Sequence, residues 1–281
     1  MRVLSYVFII SLISCSEKEG TSHEGSNNLS SSIASSFSDV EQVEENQRLE
    51  ENQGLIGGVV VDQKLFPANV YTRNFRKNGT VAKCTASIVG ERALIQAAHC
   101  VDEGAVTEFT TVNKIKYESV CKRNPTYNTS HTADYALCLV KEKVKDVPYE
   151  SLNDDQNYVK VGESVLLTGF GCIRSNGTGG NDGKFRIGEA FINRVPDPRR
   201  SSNDYVTTAP IALCFGDSGG PAYKVVGNAR KIISINSRGD IKTTSYLSSV
   251  SRKEAIDFFK AWMNETGEKV CGLHSGAVGC R

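Results

Sequence analysis

From Leu55 onward, short apolar and β-branched runs recur along the chain: "GGVVV", "TASIVG", "RALIQAA", "YALCLV", "SVLLTGFG" and "KIISIN". Gly, Asn, Asp and Pro separate them. Many short strands punctuated by turn residues predict an all-β sandwich or barrel. One segment breaks the pattern. In "SRKEAIDFFKAWMN", residues 251 to 264, Ala255, Phe258, Phe259 and Trp262 fall at helical spacing. Ser251 with Glu254 three residues later reads as a capping box. The pattern therefore predicts a β protein closed by a C-terminal helix.

Before Leu55 the texture is different. Residues 15 to 54 are rich in Ser, Glu, Asn and Gln, with Phe37 as their one aromatic. Such a segment cannot bury enough apolar area to offset the entropy of ordering it, so a disordered tether or propeptide is expected. It contains a hexapeptide written twice, "EENQRL" and "EENQGL", differing only in Arg48 against Gly54. Two copies make a local duplication, not a solenoid. Ahead of the tether, Arg2 precedes an apolar run over residues 3 to 14. That is shorter than the roughly 20 residues of a membrane span, and residues 1 to 14 read as a signal peptide. The run ends in Leu12-Ile13-Ser14-Cys15, which resembles a bacterial lipobox with Cys15 as the lipidated residue. A plain signal cut near Cys15 is the alternative. Both imply export, as a membrane-anchored lipoprotein or a secreted protein.

Composition narrows the picture further. The hydrophobic fraction of 39% suffices for a sizeable core, and the net charge of +1 suggests no nucleic-acid partner. Without Cys15, eight of the nine cysteines remain, an even number that reads as disulfides in an exported chain. No C-x-x-C pair suggests a zinc ribbon. The glycine-rich run "SNGTGGNDG", residues 175 to 183, lacks the strand and helix of a phosphate-binding loop and reads as a surface loop. No cofactor or metal is expected, and a monomer is.

Three residues carry candidate chemistry. "CFGDSGGPA" places Ser218 among small residues. A nucleophilic serine needs open access for a carbonyl carbon and backbone N–H groups aimed at the developing oxyanion, and flanking glycines permit both. A hydroxyl needs a base. His23 lies in the tether, His131 in a polar loop and His274 near the end, whereas His99 follows the apolar run "LIQAA" and abuts Cys100. Alone, a histidine there would be a core residue; beside the Ser218 context it becomes the candidate general base. The base needs an orienting carboxylate, and "TADYALCLV" places Asp134 at the mouth of a buried strand, where an unpartnered carboxylate is costly.

With the order His99, Asp134, Ser218, the chain resembles the chymotrypsin/trypsin family of serine proteases from about Leu55 to Asn264. "LIGG" is similar to the family's mature start, "AAHC" carries the base, "DYALCLV" the aspartate and "GDSGGP" the nucleophile. "GFG" at 169 to 171 matches an aromatic-centred turn, "SIN" at 234 to 236 stands for the family's Ser-Trp-Gly, and "FFKAWMN" is like its closing helix. The resemblance implies two packed six-stranded antiparallel β-barrels with a C-terminal α-helix, a protease domain over 55–265 and a disulfide-closed tail over 266–281. It implies a serine endopeptidase made as a zymogen and acting on protein or peptide substrates. The Gly216 and Ser218 N–H groups would form the oxyanion hole. Ser234 would support Asp134 and pair with extended substrate. A new ammonium at Leu55 would pair with Asp217.

Departures from the family bear on specificity. Ala212 stands where trypsins carry an aspartate, and Asn236 and Thr244 align with pocket walls that are glycine there. A shortened pocket for small or medium uncharged residues is expected. Cys84 and Cys100 match the family's histidine-loop bridge. Cys214 lacks its usual partner, for which Cys172 is the nearest candidate, and Cys121–Cys138 and Cys271–Cys280 follow by elimination. Gly54 before Leu55 disfavours activation by a tryptic enzyme. Two other readings stand beside the active enzyme. One is a non-catalytic homologue serving as a binding module. The other is a secreted eukaryotic protease, suggested by sequons at Asn78, Asn128, Asn176 and Asn264.

Overall fold

The structure, a computed structural model, describes residues 55–172, 177, 182–197, 199 and 202–281. The signal segment, Cys15, the tether and most of the glycine-rich run at 175 to 183 lie outside the described residues.

The strands are β1 (Val59–Val60), β2 (Asn69–Phe75), β3 (Val81–Gly90), β4 (Ala93–Gln96), β5 (Val106–Thr110), β6 (Lys116–Arg123) and β7 (Ala136–Val140). There follow β8 (Ser164–Gly169), β9 (Arg186–Arg194), β10 (Asp204–Thr208), β11 (Pro221–Val226), β12 (Ala229–Gly239), β13 (Thr244–Ser249) and the helix α1 (Lys253–Thr266). Strands β2-β3-β4-β7-β6-β5 close into one antiparallel barrel through the β2–β5 ladder. Strands β9-β10-β13-β12-β11-β8 close into a second through β8–β9, with β1 added along β9. Closure leaves neither barrel with a bare edge running its full length. The chain therefore has the two six-stranded barrels and C-terminal helix expected from its sequence.

Side-chain periodicity shows how each barrel fills. In β6, Tyr117, Ser119 and Cys121 turn inward while Lys116, Glu118 and Val120 face out, the period of two that a half-buried strand requires. Residues 232 to 237 of β12 are buried without alternation. They lie where covering comes from both sides, so their pattern carries no register signal. Leu55 is wholly buried in the second barrel's core with Val165, Leu167, Leu213 and Ile233. Burying such a side chain contributes about 1.5–3 kcal/mol.

Helix α1 packs Phe258 and Phe259 beside Tyr135 of the first barrel's side, with ring centroids 5.9 and 5.3 Å away. It ends at Gly267, whose left-handed conformation (φ 74°) lets its N–H reach the Met263 carbonyl. The expected capping box is not formed. Arg252 is the N-cap without a side-chain cap bond, and the Ser251 hydroxyl is buried against that of Ser249. The preceding strand, not the first turn, has claimed the Ser251 hydroxyl.

Four disulfides join Cys84 to Cys100, Cys121 to Cys138, Cys172 to Cys214 and Cys271 to Cys280. These are the pairs anticipated from likeness and elimination. The last closes the tail, which docks on the segment leading to β8. Tyr149 N–H donates to the Gly279 carbonyl at 2.9 Å, and Arg281 N–H to the Tyr149 carbonyl at 2.8 Å.

Candidate active site

His99 sits in a short 3₁₀ turn, Ala98–Cys100, directly after β4. The Cys84–Cys100 bridge ties that turn to β3. Asp134 lies just ahead of β7, which pairs with β4, so neighbouring strands deliver base and carboxylate side by side. The Asp134 carboxylate is nearly inaccessible and carries three donors. The His99 backbone N–H reaches Oδ1 at 2.9 Å, while His99 Nδ1 and the Ser237 hydroxyl reach Oδ2, each at 2.6 Å. Asp134 thus holds the proton of a neutral imidazole on Nδ1 and leaves Nε2 as the free base. The His99 side chain is 30% exposed against 2% for Asp134, so the ring reaches the surface and its anchor does not. Arg76 Nη2 holds the His99 carbonyl at 2.6 Å.

Ser218 lies in the turn before β11, docked on the first barrel by the Thr85 N–H, which donates to its carbonyl at 2.9 Å. Cys100 Sγ lies 3.8 Å from the same carbonyl, which brings the Ser218 turn against the residue next to His99. Among the described residues the Ser218 hydroxyl makes no hydrogen bond. It is half-buried and open to a reactant.

The peptides around Ser218 are pinned from behind. Cys172 N–H holds the Phe215 carbonyl at 2.8 Å. Gly220 N–H and Asn236 Nδ2 hold the Asp217 carbonyl at 2.9 and 3.3 Å. In a trans peptide the N–H points opposite to the C=O, so the Gly216 and Ser218 N–H groups are turned away from these anchors. Neither makes a hydrogen bond among the described residues. Gly216 has φ 103°, a conformation a side chain would strain. Between the two, the Thr85 hydroxyl donates to the Gly216 carbonyl at 2.8 Å and accepts from the Phe170 N–H at 3.1 Å.

Asp217 is buried beneath this turn. Its carboxylate accepts from the N–H groups of Gly171 and Cys214, both at 2.8 Å, and a Cβ at Gly171 would overlap it. Burial pushes its carboxyl up to about 7, against the two backbone donors and the more remote Arg186, which pull it down. Above it, Ile56 and Ala212 exchange backbone hydrogen bonds of 2.8 and 3.0 Å.

Three sequence assignments change. Ser234 does not support Asp134; its hydroxyl is buried without a partner among the described residues, and Ser237 makes that bond. Asn236 is locked beside the Ser218 turn by backbone bonds with Gly219 and Gly220, and its side-chain amide is spent on the Thr168 and Asp217 carbonyls. It is therefore an anchor behind the turn, not a pocket wall. Gly239 pairs with Ser245 across the β12–β13 ladder, while Thr244 donates its backbone N–H to the Asp240 carboxylate, which caps the turn. The register is three residues later than the likeness implied, and Ser237-Arg238-Gly239, with its glycine retained, was the available signal. Ala212 is wholly buried with Ile56, Cys172 and Cys214. Thr85 and Arg238 carried no signal of their own.

Cys84, His99 and Cys100 lie close enough to hold a metal ion, but both sulfurs are committed to a disulfide and cannot ligate as thiolates. The family model described as Trypsin matches residues 55 to 255, which is more than half of the sequence and spans both barrels up to the start of α1. The chain belongs to the trypsin family of serine proteases.

Proposed function

We propose that this chain is an endopeptidase that cleaves peptide bonds through Ser218, His99 and Asp134. The observation that carries the reading is the Asp134 carboxylate, which is buried, triply hydrogen-bonded and fixed on His99 Nδ1. In the reaction, His99 Nε2 takes the proton of the Ser218 hydroxyl as its oxygen attacks the substrate carbonyl carbon. The Gly216 and Ser218 N–H groups receive the oxyanion. The imidazolium then protonates the leaving amine, and water, activated by the same ring, hydrolyses the acyl-enzyme. Preorganised donors are worth about 10²–10³ in rate each in comparable chemistry.

The pocket base is apolar at Ala212, so a buried cation of substrate would lack a partner. Uncharged residues before the scissile bond are the favoured class. The Asp217 carboxylate, buried with backbone donors and no ion pair among the described residues, supports activation by a cut at Gly54–Leu55. The new Leu55 ammonium would then supply its counter-charge. Four disulfides support export. If Cys15 is lipidated, the same cut would release the enzyme from its membrane.

Incubation of the activated protein with a fluorophosphonate probe tests the reading. Covalent labelling at Ser218 is expected, and Ser218→Ala should abolish both labelling and peptide hydrolysis while keeping the fold. Hydrolysis retained by the purified Ser218→Ala protein would sink the assignment.

A further inference from the structure

The Ser237 hydroxyl that donates to Asp134 is itself held from outside. Arg238 Nη1 lies 3.3 Å from Ser237 Oγ and 2.9 Å from the His131 carbonyl, and Nη2 is paired with Asp204 Oδ2. The guanidinium also lies 4.8 Å from the Tyr246 ring centroid. Asp204 is buried on β10, and its other oxygen accepts from the Ser248 hydroxyl at 3.1 Å. Ser248 Oγ in turn accepts from the Asp134 N–H at 3.4 Å. Two hydrogen-bonded paths therefore leave Asp134, one through Ser237 and one through Ser248, and both end on the Arg238–Asp204 pair. A donor resting on the Ser237 lone pair leaves that hydroxyl's single proton for Asp134.

We infer that Arg238 and Asp204 are positioning residues for the Asp134–His99 couple: Arg238, at the surface, fixes the Ser237 hydroxyl, and the buried Asp204 carboxylate anchors Arg238. Neither touches the reacting atoms. The inference rests on the proteolytic reading for its kinetic consequence, but not for its geometry. An Arg suits the place because one planar fork serves a carbonyl, a hydroxyl and a carboxylate at once, which an ammonium cannot. Asp204 supplies the counter-charge. Burial holds its carboxyl above the ordinary range, and Arg238 opposes that rise.

Other charged or titratable groups face the couple from each neighbouring element. Arg76 holds the His99 carbonyl, and Asp102 accepts from the Lys77 N–H. From the segment before Asp134 come Tyr127 and His131, and from the end of β6 comes Arg123, lying over the Tyr127 ring. None of these reaches Ser237 or Ser248 among the described residues.

The test compares the activated protein with Asp204→Asn, Arg238→Gln, Arg238→Lys and the double variant Asp204→Asn/Arg238→Gln. Two measurements are made: kcat and KM on a peptide substrate across pH, and the His99 ring titration by NMR in the Ser218→Ala background. Asp204→Asn removes a negative charge that favours imidazolium, so the acid limb and the ring titration should move several tenths of a unit to lower pH. The double variant should return them to the wild-type position. Arg238→Gln should lower kcat by about tenfold with KM within about twofold, as expected for a misplaced base. Arg238→Lys, which keeps the charge and loses the fork, should lose kcat without moving the limb. The inference is overturned if Asp204→Asn leaves the titration where it was, or if the double variant keeps the full displacement of the single one. Failure of Ser218 to take the fluorophosphonate would refute the proteolytic reading alone, and the ring titration would still decide this one.

Discussion

If the bond before Leu55 is the activation site, Asp217 should make the stability of the chain depend on whether that bond has been cut. In the uncut chain its carboxyl rises from 3.8 to about 7 because it is wholly buried. An unfolded chain releases that proton near pH 4. Between about pH 4 and 7 the native state therefore holds a proton that the unfolded state has lost, and stability falls as pH rises. A difference of about 3 units at 1.36 kcal/mol each amounts to a penalty of about 4 kcal/mol by pH 7, absent below pH 4 and constant above 7. A Leu55 ammonium beside the carboxylate would favour its charged form and remove most of this slope. Asp182, held down to about 2 chiefly by Arg186, acts in the other direction, but its effect lies between about pH 4 and 2, outside the window. Asp204, raised by burial, contributes equally to both forms and cancels in the difference. The assay is urea unfolding from pH 4.5 to 8 of two Ser218→Ala proteins, one carrying the tether and one beginning at Leu55. The uncut form should lose stability relative to the cut form as pH rises, by up to about 4 kcal/mol. Parallel stability–pH curves for the two forms would refute the reasoning.

Other substitutions probe the site separately. Asp134→Asn should lower kcat by about 10³–10⁴-fold at neutral pH with the fold unchanged, because an amide facing Nδ1 selects the wrong tautomer; steady-state kinetics and a thermal melt check it. Thr85→Val keeps the shape but removes the donor to the Gly216 carbonyl and the acceptor for the Phe170 N–H. It should cost about 1–3 kcal/mol of stability and lower kcat more than it raises KM; an unchanged melt would count against the bridge. Ala212→Asp buries a carboxylate among Ile56, Cys172 and Cys214, so a lower melting temperature above pH 7 than below pH 5 is expected. Equal melts at both pH values would contradict that.

The sequence alone determined what depends on short stretches of backbone. The small residues around Ser218, the turn signals between strands and the helical spacing of Phe258, Phe259 and Trp262 are local requirements, and a local motif can state them. Cysteine pairing was legible because one pair matched a family bridge and family likeness put Cys172 nearest Cys214, which left four cysteines with few alternatives. Tertiary structure decided which serine meets Asp134, where the sequence offered only the retained glycine of Ser237-Arg238-Gly239. Residues 232 to 237 are buried throughout, so no alternation marks a face, and a shift of three positions exchanges the two faces of a strand. The register is set instead by Gly219 and Gly220 bonding to Asn236, with a bulge between Asn236 and Arg238. The Ser251 capping box failed for a related reason: its hydroxyl had a nearer partner in Ser249. The roles of Thr85, Asn236 and Arg238 were illegible because each acts on a carbonyl or carboxylate from another part of the chain. Such contacts exist only once the barrels have closed and packed, since nothing in a residue's own neighbourhood encodes which remote group will face it.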